Sequence, residues 1–322
     1  FTIGAVFHLF VVYHFEHVAK SDPDRYFHLA LAKMTAEKGL LRTVPQVEDL
    51  GWGKRFLERS FLFTWMAGQG YRWNAERGAL LVTPVLGLIF LLALFLILSR
   101  FGPAPLALLL LILPLSVPDF ANRISLFRPH IFAFAAFTFL LYGLLTERAW
   151  VVFVSAVLFP LGYHGIYVPV SVLIIAFVFG RNGGKRLLKT LLMGGTGIVL
   201  GIVLNPYFPL NVVAGADSFR IAINFFHLGP EDRPIEVVPV RSDEFLTIFG
   251  FFLCIVLLSL VLGLQKQSRW NERSRYSWQF PTILSASILF WVLTAITRRA
   301  CEYAIPLTMV LAVVTYRELR GT

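Results

Sequence analysis

Charge is scarce in this sequence. Only 15% of its 322 residues are Asp, Glu, Lys or Arg, against 57% hydrophobic, and the mean hydropathy is +0.71. Soluble domains carry about 25% charged residues, so a water-soluble body is excluded. Cysteine is scarcer still. Cys254 and Cys301 are the two present, too few for a disulfide framework and without metal-ligand spacing. Walker loops, dinucleotide-binding glycine patterns, serine-nucleophile elbows and zinc-protease motifs are all missing. So are helix-turn-helix, zinc-finger and RNA-binding signatures. Nucleotide-driven or hydride chemistry therefore has no support. The net charge of +10 points to Lys and Arg on loops that face anionic lipid, and nucleic acid is not expected as a partner. No internal repeat or low-complexity tract occurs.

Long apolar runs are what the chain does have. A spanning helix needs roughly 20 apolar residues, and runs at 79–99, 103–118, 130–145, 187–204, 245–264, 280–297 and 304–316 approach that length. Residues 1–13 read as the tail of a further span, with no basic leader region or small-residue cleavage site visible. The stretch 150–180 is too long for one helix and carries Gly162-Tyr163-His164-Gly165 at its middle, which predicts two short helices joined there. The expected fold is all-α: a single transmembrane domain over 1–322 with about ten spanning helices. A long first outer loop, 14–78, would carry amphipathic surface helices, and a second long outer loop covers 205–244.

Basic residues orient the bundle. Arg181, Lys185, Arg186 and Lys189 form one cluster, Lys266, Arg269, Arg273 and Arg275 another, and Arg317 with Arg320 a third. Positive charge collects on the cytoplasmic side, and the three clusters share one side when 150–180 is a helical pair. The opposite face receives 14–78, 119–129, the 162–165 turn, 205–244 and 298–303, with nearly all the acids.

Five polar constellations lie on that face. Asp22-Pro23-Asp24-Arg25-Tyr26-Phe27-His28 is a helix start, with Asp22 as N-cap and a helix running to about Lys38 and stopping at Gly39. Asp24 is left to face substrate or a divalent metal, with His28 one turn further along. Asp119, Arg123, Arg128 and His130 crowd a second membrane boundary, where a guanidinium fork suits phosphate oxygens. A snorkelling arginine is the structural alternative. His164 sits in the third turn, either held by backbone or contacting substrate. Asn205-Pro206-Tyr207-Phe208-Pro209 ends a helix and shapes a loop whose acids, Asp217, Glu231, Asp232 and Glu236, read as solvated. Arg298, Arg299 and Glu302 place two arginines against the positive-inside trend, with an acid able to pair with one of them.

This layout resembles the GT-C superfamily of polyprenyl-phosphate-dependent glycosyltransferases. Asp22-Pro23-Asp24-Arg25-Tyr26-Phe27-His28-Leu29-Ala30 is similar to the first-loop acidic motif of oligosaccharyltransferase catalytic subunits. A first outer loop with two amphipathic helices is typical of that superfamily, the second here over about Gly53–Met66. Asn205–Pro209 and Arg298–Tyr303 also resemble patterns in bacterial membrane proteins of the superfamily. The resemblance covers the layout of the whole chain but few residues in detail. The Trp-Trp-Asp-Tyr-Gly motif of oligosaccharyltransferases does not occur, and Asp119 lacks that family's flanking glycine and acid.

The resemblance implies a transferase on the non-cytoplasmic side of a bacterial inner membrane, with a lipid-linked sugar as donor. It implies Asp24 and Asp119 as catalytic or metal-holding carboxylates, with Mg or Mn as the metal. His28, Arg123, Arg128, His164, Arg298, Arg299 and Glu302 would contact substrate. Partners would be the donor, membrane lipids and other membrane proteins. A non-catalytic subunit of a membrane complex is one alternative. A secondary transporter is another, though ionisable residues lie mainly at helix ends rather than at the midplane.

Overall fold

The computed structural model describes residues 11–12, 14–15, 22–44, 56–180, 183–213, 215–216, 242–267 and 278–320. Most of the expected first span, the acids Asp217, Glu231, Asp232 and Glu236, and Arg181, Arg269, Arg273 and Arg275 lie outside the described residues. Among the described residues all regular structure is helical. In chain order the helices are α1 (Asp24–Lys38), α2 (Phe61–Leu80), α3 (Val82–Phe101), α4 (Ala104–Ile112), α5 (Pro118–Ser125) and α6 (His130–Leu145). They continue with α7 (Ala149–Gly162), α8 (Tyr167–Phe179), α9 (Gly184–Leu204), α10 (Ser242–Gln267), α11 (Gln279–Ile296) and α12 (Cys301–Arg320).

Among the described residues, four helices are long and apolar enough to cross a membrane: α3, α9, α10 and α11. A fifth candidate is the bent pair of α4, with its 3₁₀ extension to Ser116, and α5. The shorter apolar helices α6, α7 and α8 follow a different pattern, α6 being buried on nearly all sides. It forms the centre together with α12, whose residues Cys301–Leu311 are all buried. Around them, α3 and α7 flank α6, while α10 and α11 flank α12. The outward faces of α9 and α10 stay apolar, with Leu192, Val199 and Val203 on one and Phe251, Leu257 and Leu258 on the other exposed. An apolar surface that wide is a lipid-facing one in a chain of this composition. The molecule is an integral membrane protein of packed helices.

Two sequence expectations take a specific form here. Residues 150–180 do break into two helices, and α8 turns away to pack on α11, leaving α7 between α6 and α9. The α7–α9 contact is unusually close because Gly197 and Gly201 face it. A Cβ at Gly201 would lie 2.3 Å from the Val157 carbonyl oxygen, and one at Gly197 would lie 2.7 Å from that of Phe153. Small residues four apart let backbones approach in the absence of a hydrophobic drive between lipid-solvated helices.

The described segments between the apolar runs carry much helix. α1 runs from Asp24 to Lys38 and ends at Gly39, whose φ of 75° terminates it. Of the second helix expected over about Gly53–Met66, the described residues 56–60 are not helical, and α2 runs from Phe61 to Leu80, abutting α3 through Leu81 alone. Its start is delayed because the Glu58 carboxylate takes the Ser60 N–H at 2.9 Å, holding a turn there. At Asn74 and Ala75 the backbone leaves helical geometry and reverses. Gly70 and Gly78 then meet backbone to backbone, a Cβ on Gly70 falling 2.3 Å from the Gly78 carbonyl oxygen. The segment expected as a loop at 119–129 opens instead with α5, set at 89° to the preceding helix. Pro114 and Pro118 bracket that corner, where each removes a backbone donor and blocks continuation of the helix.

Candidate functional site

The right-angle helix α5 carries Asp119 and Arg123 one turn apart on a common face. Across from it, the short turn at Arg298–Ala300 and the first turn of α12 carry Arg298 and Glu302 at the same spacing. The charges are crossed. Arg298 Nε donates to Asp119 Oδ2 at 2.9 Å, and Arg123 donates to Glu302 through a short contact. Arg298 also meets Glu244, in the first turn of α10. Glu302 is wholly excluded from solvent and Arg123 is 13% exposed, so this pair is buried while Asp119–Arg298 stands at the rim. A buried charge is tolerable only when paired and hydrogen-bonded. One carboxylate oxygen of Glu302, Oε2, nevertheless has no hydrogen-bond partner among the described residues, nor does the buried hydroxyl of Tyr303.

Arg128 closes the next contact. Its guanidinium reaches Asp22 at 2.8 Å through one nitrogen and at 3.3 Å through Nε, and the same group lies 3.1 Å from Asp24. Asp22 is buried and also accepts the Asp24 N–H at 3.2 Å, the side-chain turn that starts α1. Asp24 keeps 57% of its side chain exposed. The start of α1 is thus pinned to the α5–α6 connection through one arginine, and the two aspartates divide the work. Asp22 holds, and Asp24 presents an accessible carboxylate.

The histidines sit inward. His28 is edge-on to Phe63 and Phe127, and burial, with the charge of Arg128 second, pushes its pKa down to about 4. His164 lies against the Tyr163 ring, with centroids 4.7 Å apart, and burial together with the Arg299 and Arg59 charges likewise pushes it to about 4. Both are neutral imidazoles at neutral pH. His130 Nε2 donates to the Arg123 carbonyl, fixing the end of α5 to the start of α6. Arg299 acts electrostatically on Tyr163, Tyr167, His164 and Tyr303, which places it on the aromatic side of the layer.

The structure therefore gathers Asp119, Arg123, Arg298 and Glu302 into one cluster and Asp24 with Arg128 into an adjoining contact. Arg299 and His164 share the third side, and His28 packs among aromatic rings under α1. Sequence reading passed over Glu244 and gave Asp22 only a capping role. Glu244 stands with Asp243 in the first turn of α10, just ahead of the apolar run 245–264. Asp24 and Asp119 each take an arginine, from different clusters, and no three of His, Cys, Asp and Glu gather to hold an ion among the described residues. No protein-family model matches the chain, and no curated protein is similar to it.

Proposed function

We propose that the chain is a GT-C-like glycosyltransferase of a bacterial inner membrane, working on its non-cytoplasmic face with a polyprenyl-phosphate-linked sugar as donor. In this reading about ten membrane-embedded segments support one outer polar layer. The observation that carries it is the pairing of Asp24 with Arg128, which leaves an oriented carboxylate accessible while its neighbour Asp22 is buried. Asp24 takes the proton of an acceptor hydroxyl as its oxygen attacks the anomeric carbon. The bond from that carbon to the phosphate oxygen breaks with inversion, and the phosphate leaves with the electron pair. Arg299 receives that charge, with neutral His164 beside it as a hydrogen-bonding group.

A second reading has its own support. Arg123, Arg128 and Arg298 all meet carboxylates of this chain, as suits a subunit whose polar layer only holds the outer loops together. One experiment separates the two: the purified chain is incubated with lipid-linked sugar, wild type beside Asp24→Asn. Transfer by the wild type and at least a 100-fold loss in the variant support the enzyme. Absence of both turnover and lipid-phosphate binding in the wild type leaves the subunit.

A further inference from the structure

A cavity of about 320 Å³ opens between α1, α2 and the Pro206–Tyr207 turn, apart from the arginine layer. That volume lies at the lower end of the about 300–1,000 Å³ common for small-molecule sites. Its walls are built from three segments far apart in sequence and are fixed in place. Tyr207 donates its hydroxyl to the Leu41 carbonyl at 2.6 Å and its N–H to Asn205 Oδ1 at 3.0 Å, and its ring is edge-on to Phe61. Trp65 stands half-exposed on the same wall.

The wall also contains a carboxyl group. Glu58 is buried, accepts the Ser60 N–H, and has no ion-pair partner among the described residues. The basic side chain that lines the same cavity is Arg72, whose Nε donates to the Ala36 carbonyl at 2.7 Å while the guanidinium stays exposed at the mouth. A carboxylate inside an aromatic wall, with a guanidinium at the opening, is complementary to a ligand that carries an ammonium at its tip and a phosphate behind it. Aromatic faces attract the cation, and the arginine fork takes phosphate oxygens.

The position in the fold says where such a ligand comes from. The arm of α2 beyond its reversal at Asn74 and Ala75 leads into the candidate span α3 with only Leu81 between them, and the arm before it, packed back against the first, exposes Trp65 and Trp73. Exposed tryptophans next to a span mark the head-group level of a bilayer. We propose that this cavity binds the head group of an amine-bearing phospholipid, with its ammonium at Glu58 and its phosphate at Arg72.

Burial supports a protonation link, because it raises the Glu58 carboxyl to about 7. The groups around it are Thr64 and Ser60 as donors, Arg59 as the nearest charge, and Tyr207. An incoming ammonium favours the ionised acid, so amine-lipid binding strengthens as pH rises through 7.

The test uses the full chain in detergent and native mass spectrometry, with phosphatidylethanolamine competed against phosphatidylglycerol. At least tenfold preferential retention of the ethanolamine lipid is expected, reduced to parity in Glu58→Gln and weakened in Arg72→Gln. The preference is expected to grow between pH 6 and pH 8. Equal retention of the two lipids by the wild type overturns the proposal, as does an undiminished preference in Glu58→Gln. Should Glu58→Gln not fold, the wild-type pH series decides, and a preference unchanged from pH 6 to pH 8 overturns it. Displacement by free phosphoethanolamine as effective as that by the lipid overturns the lipid as occupant.

Discussion

Glu302 has no solvent exposure, and Arg123, from a helix 179 residues earlier, is its counter-ion. The pair ties the first turn of α12 to α5 from inside the protein. Removing one partner leaves a charge stranded in a dry site, at a cost of about 3–5 kcal/mol. Arg123→Met and Glu302→Leu are each expected to lower the unfolding midpoint in detergent sharply, whereas the double variant recovers much of the loss. A double-mutant cycle by thermal unfolding measures the coupling, and additive losses would contradict the burial argument.

Asp22 and Asp24 share Arg128 but should behave oppositely. Asp24 is more than half exposed, and an exposed ion pair is worth about 0–1 kcal/mol. Asp24→Asn is expected to leave the melting temperature nearly unchanged while removing transfer activity. Asp22→Asn, at a buried bidentate acceptor, is expected to destabilise the chain and free α1. Protection of α1 amides from hydrogen exchange distinguishes the two.

Stability should depend on pH with two opposing limbs. His28 is depressed to about 4 in the folded chain, against 6.5 when unfolded. The unfolded chain therefore binds more protons across that window, and stability falls as pH drops from 6.5 to 4. Glu58 is raised to about 7 from 4.5, so its contribution is complete below 4.5 and is lost as pH rises to 7. His28→Phe should flatten the acid limb in part, the other buried histidines keeping the rest, and Glu58→Gln should flatten the other. Melting temperatures between pH 4 and pH 8 check both signs.

The close approach of α7 and α9 leaves no room at Gly201. Gly201→Leu is expected to abolish a monodisperse peak in size-exclusion chromatography, because the new side chain meets the Val157 carbonyl. Gly195, with nothing within 4 Å of a Cβ, is the control, and Gly195→Ala should behave as wild type.

Much of the outer architecture was legible wherever punctuation residues set it. Asp22-Pro23-Asp24 starts α1 and Gly39 ends it, and Gly162–Gly165 splits 150–180. Those signals are local: Pro23 lacks a donor, Gly39 takes a positive φ, and Gly162 and Gly165 leave space that the Phe132 and Tyr163 rings fill. What stayed hidden was not local. No spacing rule marks the right angle at Pro118 as a helix laid across the bundle, because Pro at a helix start reads the same for a straight or a turned entry. The start of α2 lies at Phe61, after a turn in which one Glu58 carboxylate oxygen takes the Ser60 N–H. The partners of Arg123 and Arg298 stand in a distant segment, so the sequence could supply the charges but not their pairing. Nor could it show that Glu302 would be sealed while Asp24 stayed open, since burial depends on how the loops pack.

The crossed pairs of α5 have a consequence for how this protein can vary. Asp119–Arg298 and Arg123–Glu302 are each 179 residues apart, so the two segments meet in one register, like a key with two teeth. Reversing the charge of a single tooth sets like charges against each other. Natural variation at these four positions is therefore expected to come in matched exchanges, with 119 changing alongside 298 and 123 alongside 302. Insertions between residues 123 and 298 can be absorbed in loops, whereas one placed between 119 and 123 would spoil the key.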